Sequence, residues 1–354
     1  MTVLVVAVSA RMLAQLAVAD GHRVIALDRF GDVDLRRIAP GGTAASNDAL
    51  VALADGVAAD AVVYGAGLEN RPDLVARLAD GRELLGTPAD RLAAVRDPWA
   101  VAAAARAAGA RAPETRRREP AVQDGAWLRK PLRGGGGRGI RRWAGGRPRS
   151  TEILQRFVAG VPCSAVALAD ARTASTLAVT EQLLAPRGFR WTGNVTPPRL
   201  PAGERAELAG RLGAVCDEVA ARFGVRGAFG VDAIWDGRQT WVLEVNPRPT
   251  AALELVGPGA FAAHVEGARG RRPPVVPAPP AGRVKLVLFA DRDLRAPHPD
   301  WWPSGLARDI PRAGESIARG QPVCTLVSGE HAVNELRAVG TGLLRALPGT
   351  VLAR

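Results

Sequence analysis

The sequence predicts an α/β protein that opens with a parallel, doubly wound sheet. The apolar, β-branched run VLVVAV at 3–8 is typical of a buried strand, and the segment 10–20 after it has the periodicity of a helix. A second strand pattern at 22–28 ends in Asp28. Strands that alternate with helices in this way form a parallel sheet with helices on its faces.

The alternation continues with a helix at 48–56, a strand at 60–67 and a helix at 71–80, which completes a Rossmann-like unit over residues 1–88. Its first turn, residues 9–11, reads SAR and not the glycine-rich GxGxxG. Because a dinucleotide pyrophosphate needs those glycines to approach the backbone, we do not expect this unit to bind NAD.

Residues 89–270 are expected to form a second, larger unit. An alanine-rich helix is predicted at 98–109 and a long amphipathic helix at 203–223. Two strand patterns, at 227–235 and 239–246, are joined by Asp-Gly, which is a hairpin turn signal. The unit therefore mixes helices with antiparallel strands.

The proline-rich segment 271–282, RRPPVVPAPPAG, is typical of a linker. Short strand and turn patterns after it predict a small, mostly β domain over 283–354. The N-terminal apolar run has no basic segment before it, so we interpret it as a strand and not as a signal peptide. Together with three scattered cysteines and no apolar run of membrane-spanning length, this favours a reduced, cytoplasmic location.

The chain of 354 residues carries a net charge of +12, and only two of its 47 basic residues are lysines. Three explanations are open: a general bias towards arginine, attraction of anionic small molecules, or binding of nucleic acid. The basic stretches lack the interleaved aromatic residues of a single-strand binding platform, which disfavours nucleic acid. The histidines and cysteines form no cluster with metal-ligand spacing.

One of the two lysines, Lys130, precedes a run of glycines in AWLRKPLRGGGGRGIRRW, residues 126–143. Glycines let successive backbone N–H groups converge on an anion, and a lysine supplies a compact charge for phosphate oxygens. The pattern is not a Walker A motif, because the lysine comes before the glycines. The segment is either a phosphate-binding loop or a flexible Gly/Arg linker.

A second constellation lies on the predicted hairpin. Asp232 falls on its first strand, and Glu244 and Asn246, two residues apart, face the same side of the second. Two carboxylates and an amide oxygen on one face suit Mg²⁺, and Arg248 can reach the same face. The alternative is a polar, solvated hairpin; against it, Glu244 stands in the otherwise apolar run VLEV, where a carboxylate needs partners.

A lysine with a glycine loop comes first along the chain and the carboxylate hairpin comes after it. In this order, the two motifs resemble those of the ATP-grasp enzymes. Among these enzymes the chain resembles the predicted ATP-dependent carboligases related to biotin carboxylase, and the resemblance covers roughly residues 1–265. LEVNPR with the upstream aspartate is the specific part. Further stretches that are similar are VTEQL (179–183), WTGNVTPP (191–198), FGVDA (229–233) and LEVNPRPTA (243–251). The resemblance implies a Rossmann-like N-terminal domain, a two-subdomain α+β ATP-grasp core and a small C-terminal β-domain.

The resemblance also implies roles. The implied ATP-binding residues are Lys130, Gly134, Gly135, Gly136, Gly137, Gly139, Gln155, Phe157 and Val158. Asp232, Glu244 and Asn246 would hold one or two Mg²⁺ ions, or Mn²⁺. Lys130 and Arg248 would act in catalysis by stabilising charge on the transferred phosphoryl group.

The sequence departs from the family pattern at three places. The strand along the adenine starts with Gln155 where glutamate is usual, and Val-Pro-Cys at 161–163 stands where an acidic residue often binds ribose. The family's other lysine has no match, although Arg96 could take its place. We interpret the remaining lysine, Lys285, as an ordinary strand residue.

The implied activity is an ADP-forming carboxylate–amine ligase, for example in the biosynthesis of a small cofactor. The basic charge favours an anionic carboxylate substrate, and Arg187, Arg190 and Asn194 are expected on a loop that contacts it. An amine acceptor is expected as well, and a homodimer stays open. The alternatives are a bicarbonate-dependent carboxylase and a weakened, regulatory ATP-binding module.

Overall fold

The computed structural model describes residues 1–119 and 124–348, so the end of the predicted C-terminal domain, 349–354, lies outside the described residues. Its first part is a parallel five-stranded sheet in the order β3-β2-β1-β4-β5, which confirms the predicted doubly wound unit. The strands are β1 (Thr2–Val6), β2 (Arg23–Asp28), β3 (Gly41–Thr43), β4 (Ala61–Tyr64) and β5 (Glu83–Leu84). The helices are α1 (Arg11–Ala19), α2 (Val33–Ile38), α3 (Asn47–Ala54) and α4 (Pro72–Ala79).

Two helices, α5 (Ala89–Val95) and α6 (Pro98–Ala107), lead into a four-stranded antiparallel sheet, called the small sheet below. Asp97 accepts hydrogen bonds from the first backbone N–H groups of α6 and Pro98 occupies its first turn, so local sequence fixes where this helix begins. The small sheet consists of β6 (Thr115–Arg116), β7 (Trp127–Pro131), β8 (Arg141–Arg142) and β9 (Glu152–Arg156), in the order β6-β9-β7-β8.

A large antiparallel sheet forms the centre of the molecule, with the order β14-β13-β10-β11-β12-β15-β19-β17. Its strands are β10 (Val161–Asp170), β11 (Ala174–Leu184), β12 (Trp191–Thr196), β13 (Arg226–Trp235), β14 (Thr240–Asn246), β15 (Arg283–Phe289), β17 (Ala307–Arg308) and β19 (Pro322–Ser328). Helix α7 (Ala202–Phe223) packs on β10 and β11, and α8 (Ala260–Ala268) packs on β10 and β13. A 3-10 turn, Ala251–Leu255, follows β14. The predicted hairpin is present as β13–β14.

Three of the C-terminal strands, β15, β17 and β19, extend the large sheet. Strand β15 pairs antiparallel with β12, so the chain returns to the same sheet after the proline-rich segment 271–282. The remaining elements are β16 (Leu294–Arg295) paired with β18 (Ser316–Ile317), a 3-10 turn at Pro299–Trp301, and the helix α9 (Val333–Ala346). Among residues 1–119 and 124–348, no helix combines the length and the apolarity that crossing a membrane requires.

A buried group of ions, called the ion network below, joins three parts of the chain. Glu254 accepts a hydrogen bond from Arg11 of α1 and lies 2.6 Å from the Lys285 ammonium of β15. Arg11 Nε also donates to Asp309 Oδ1 at 2.9 Å. The interpretation of Lys285 as an ordinary strand residue is therefore wrong: the side chain is buried and ion-paired, because β15 is an inner strand of the large sheet.

Candidate active site

The β13–β14 hairpin places its polar side chains as the period of a strand requires. Asp232 and Glu244 are directly opposite each other in the register. Asn246 is paired with Gly230, which lies two residues before Asp232 on β13. The Asn246 amide donates to Asp232 Oδ2 at 3.1 Å. Gln182 of β11, which the sequence did not single out, donates to Asp232 Oδ1 at 2.9 Å. The two carboxylates therefore share one face with amide groups around them.

This donor set fits a divalent cation. Burial and the neighbouring Glu244 raise the pKa of Asp232 well above its ordinary value, so a positive charge between the two carboxylates would be stabilising. In the part of the chain that the structure describes, no group of three or more His, Cys, Asp or Glu side chains is arranged to hold a metal. Mg²⁺ at Asp232, Glu244 and Asn246 would therefore complete its shell with water or phosphate oxygens, as it commonly does.

Lys130 lines the same cleft as the hairpin residue Glu244. Lys130, Gln155 and Glu244 line one cavity, and the Lys130 ammonium donates to Gln155 Oε1 at 2.8 Å. Burial lowers the pKa of Lys130, although Glu244 and Asp232 act in the opposite direction. An ammonium that burial disfavours gains more from an anionic ligand than one in open solvent would.

Arg96 connects the parts of the cleft, and its side chain is only 8% exposed. Its guanidinium donates to the carbonyls of Val245, at 2.8 Å, and Gly134, at 3.1 Å, and lies 3.4 Å from Glu244 Oε2. It also donates to Asn70 of the N-terminal unit. A cation thus stands beside the hairpin and the glycine run, where the resemblance led us to look for a lysine.

The glycine loop, Gly134–Gly139, packs against the turn between β11 and β12. The backbone N–H of Trp191 donates to the Gly136 carbonyl at 3.0 Å. Gly137 has φ +71°, and a Cβ there would lie 1.8 Å from the Phe189 carbonyl oxygen. Only glycine permits both this backbone conformation and this close approach.

Arg248 forms an ion pair with Glu69 of the N-terminal unit. Its Nε donates to Glu69 Oε1 at 2.9 Å, and its Nη2 lies 3.5 Å from Asn246 Oδ1. Burial opposes the charge of Glu69, but Arg248 and Arg96 outweigh burial and lower the pKa of Glu69. Glu69 lies in the connection between β4 and α4, and nothing in the local sequence connects it with a residue 179 positions later.

The structure does not group the three residues expected to contact the substrate. Arg187 is exposed on the turn, and Arg190 stacks on Phe289, 4.9 Å from the ring centre. Asn194 does not lie on the loop: it is buried in β12 and donates to Thr180 Oγ1 at 2.8 Å. Of the residues expected to line the adenine, Gln155 is buried in β9. The Arg142 guanidinium carbon lies 3.9 Å from the centre of the Phe157 ring.

A family model described as an ATP-grasp domain matches residues 95–252. Among solved structures, the biotin carboxylase domain dimer of Hydrogenobacter thermophilus 2-oxoglutarate carboxylase, in complex with MgADP, ADP and bicarbonate, superposes with a TM-score of 0.72 at 15% identity, over 98% of this chain and 90% of that one. N5-carboxyaminoimidazole ribonucleotide synthetase of Thermotoga maritima gives 0.66 at 14% identity, over 98% of both chains.

Rhizobium etli pyruvate carboxylase T882A, with the allosteric activator acetyl coenzyme A, gives a TM-score of 0.71 at 16% identity. The match covers 98% of this chain but only 37% of the pyruvate carboxylase chain. No curated protein matches the sequence. At these identities the superpositions show a shared fold. Residues 95–252 therefore match an ATP-grasp domain, and the chain has the fold of the biotin carboxylases.

Proposed function

We propose that the chain binds MgATP between the glycine loop and the β13–β14 hairpin and uses it to join a carboxylate to an amine. The observation that carries this proposal is the common cavity of Lys130 and Glu244. A phosphate-binding cation and a metal-binding carboxylate in one cleft can share one triphosphate. The residues that we propose for ATP, metal and catalysis are those named from the sequence, with Arg96 added.

The proposed reaction has two steps. A carboxylate oxygen of the substrate attacks the γ-phosphorus, and the bond from that phosphorus to the bridging oxygen breaks, which gives an acyl-phosphate and ADP. The amine nitrogen then attacks the acyl carbon, phosphate leaves and the amine proton passes to solvent. The protein contributes positioning and electrostatic stabilisation rather than covalent chemistry.

Each part of the cleft has a task in these steps. The Lys130 ammonium neutralises phosphate oxygens, and Arg248, oriented by Glu69, stabilises charge on the transferred group. The glycine loop covers the acyl-phosphate and keeps water away from it. Asp232, Glu244 and Asn246 would hold Mg²⁺, and the ion would supply Lewis-acid charge to the phosphates.

We also propose that the ATP-grasp core spans 89–270, between the Rossmann-like unit 1–88 and the segment from 283 onwards. An anionic carboxylate as substrate, a cytoplasmic location and a role in making a small cofactor are part of the proposal. The net charge of +12 supports the anionic substrate.

The experiment is a measurement of ADP release with MgATP and a metabolite extract, followed by mass spectrometry for a condensed product. We expect Glu244→Gln to abolish ADP release while the circular dichroism spectrum stays that of the folded protein. Glu218→Gln, in an exposed helical ion pair with Arg222, is the matched control and keeps full activity. Turnover that survives in Glu244→Gln contradicts the site.

A bicarbonate-dependent carboxylase is the second candidate, favoured by the fold shared with a bicarbonate-bound carboxylase domain. Bicarbonate takes the place of the organic carboxylate in the first step. Labelled bicarbonate separates the two: ADP release that needs bicarbonate and puts its carbon into the product assigns the carboxylase. Tight nucleotide binding without ADP release under any condition assigns a regulatory module.

A further inference from the structure

Most of the net positive charge of the chain lies in the segment that forms the small sheet and its loops. Residues 115–156 contain twelve basic and three acidic side chains, a net +9 of the chain's +12. The N-terminal unit, 1–88, has eight basic and eleven acidic side chains, a net −3. A general bias towards arginine would spread the charge along the chain, so its concentration needs a local explanation.

The register of the small sheet separates its two faces. Lys130 is opposite Ile153, and both line the cleft. The alternate positions form the outer face. There Arg116 and Arg129 both stand opposite Leu154, and Arg141 stands opposite Arg129, so one cross-strand row runs through all four strands.

Three further observations describe the charges in and beside this row. Arg129 and Arg141 are direct cross-strand neighbours, an arrangement that costs stability between like charges. The Glu152 carboxylate lies 3.9 Å from the Arg129 guanidinium and 3.0 Å from that of Arg141, so one carboxylate forms ion pairs with both. Arg156 lies beside the row, and its guanidinium stacks 5.9 Å from the centre of the Trp127 ring.

We propose that this outer face, named the arginine face and defined by Arg116, Arg129, Arg141 and Arg156, docks the acidic surface of another protein. The carboxylates that already contact these side chains, Glu114, Glu152 and Asp124, show the kind of group that fits them. Guanidinium forks bind carboxylates in this way with geometric specificity. Arg116, Arg141 and Arg156 are each more than 40% exposed, so their outer edges stay accessible.

The geometry disfavours the other anionic partners. A small substrate in the cleft lies on the opposite face of the sheet, and the row spans about 15 Å from edge strand to edge strand, given the usual strand spacing. Single-stranded nucleic acid binds by stacking its bases on open aromatic rings. Trp127 and Trp143, which form the core of the small sheet, are only 3% and 6% exposed and offer no such platform.

The test is fluorescence anisotropy with a labelled oligoglutamate peptide. Loss of two exposed ion-pairing groups in Arg116→Gln/Arg141→Gln should weaken binding about fivefold to tenfold and reduce its salt dependence. The matched control, Arg77→Gln/Arg222→Gln, removes the same charge from exposed ion pairs outside the small sheet and should stay within about twofold. Arg156→Gln gives a smaller loss and serves as a second probe should the double variant not fold.

Two results overturn the proposal. Equal weakening in both double variants shows that the net charge of the molecule, not the arginine face, attracts the peptide. Labelled RNA or duplex DNA that binds more tightly than the peptide at the same salt concentration, and loses affinity in Arg116→Gln/Arg141→Gln, assigns the face to nucleic acid instead.

Discussion

The ion network is a group of mostly buried charges and the cleft a group of partly buried ones, and the charges of the two are balanced differently. In the ion network, burial opposes the charge of Glu254, yet neighbouring Arg11 and Lys285 outweigh burial and lower its pKa to about 2. In the cleft, burial and a second carboxylate raise the pKa of Asp232, and burial lowers that of Lys130. The network satisfies its own ions, whereas the cleft holds charges that a ligand would stabilise. Such unbalanced charge is typical of functional sites.

The largest effect is expected from opening the ion network. Glu254→Gln leaves Arg11 and Lys285 buried without their shared carboxylate, and the free energy of unfolding should fall by about 3–5 kcal/mol. Urea denaturation measures the change. The exposed control Glu218→Gln should lose about 0.5 kcal/mol or less. A loss in Glu254→Gln no larger than in the control contradicts the assignment of the network as a structural element.

The same carboxylate gives a pH dependence with a defined sign. The pKa of Glu254 in the folded protein lies below its ordinary 4.5, so its contribution to stability is complete above about pH 4.5 and is lost as the pH falls towards about 2. In Glu254→Gln, the fall in unfolding free energy over this range should be smaller than in the wild type. Identical pH profiles contradict the expectation.

The two lysines provide the next comparison. Lys130→Met removes a charge-assisted contact and should weaken binding of a non-hydrolysable ATP analogue with Mg²⁺ about 10- to 100-fold, measured by calorimetry. Its free energy of unfolding should stay equal or rise, because burial already disfavours the ammonium. Lys285→Met should behave in the opposite way, with lower stability and unchanged nucleotide affinity of the folded protein. Lower stability with unchanged nucleotide affinity in Lys130→Met, and weaker nucleotide binding with unchanged stability in Lys285→Met, would contradict the distinction between cleft and network.

The smallest effect is expected from relief of repulsion in the cleft. Asp232→Asn removes a carboxylate whose pKa is raised, so the free energy of unfolding at pH 8 should increase by about 1 kcal/mol. Thermal denaturation measures it, with the exposed Asp55→Asn as control. A loss of stability instead would show that the bonds from Gln182 and Asn246 outweigh the repulsion.

The sequence was sufficient to predict features that depend on local periodicity. Alternation along a strand placed Glu244 and Asn246 on one face, and the Asp-Gly turn placed Asp232 on the neighbouring strand; the pairing of Asp232 with Glu244 depends on a register shift after Asp232 that the sequence did not predict. The strand–helix alternation predicted the parallel sheet. These patterns need no knowledge of distant residues.

Other features depend on contacts between segments far apart in the chain. Glu69 meets Arg248, and β15 meets β12 across the proline-rich segment; local sequence carries no sign of either. Asn194 was expected on a loop, but it lies in β12 after Gly193, where a Cβ would lie 1.9 Å from the Lys285 carbonyl oxygen. That glycine permits close strand pairing and does not mark a turn.

The central claim is that Lys130 and the β13–β14 hairpin hold the same nucleotide, and pulsed EPR with Mn²⁺ and a non-hydrolysable ATP analogue tests it most directly. We predict phosphorus hyperfine coupling to the bound Mn²⁺ in the wild type and in Glu218→Gln. The coupling should disappear in Glu244→Gln and weaken in Lys130→Met. Coupling of equal strength in all four proteins, or none in the wild type, contradicts the shared cleft.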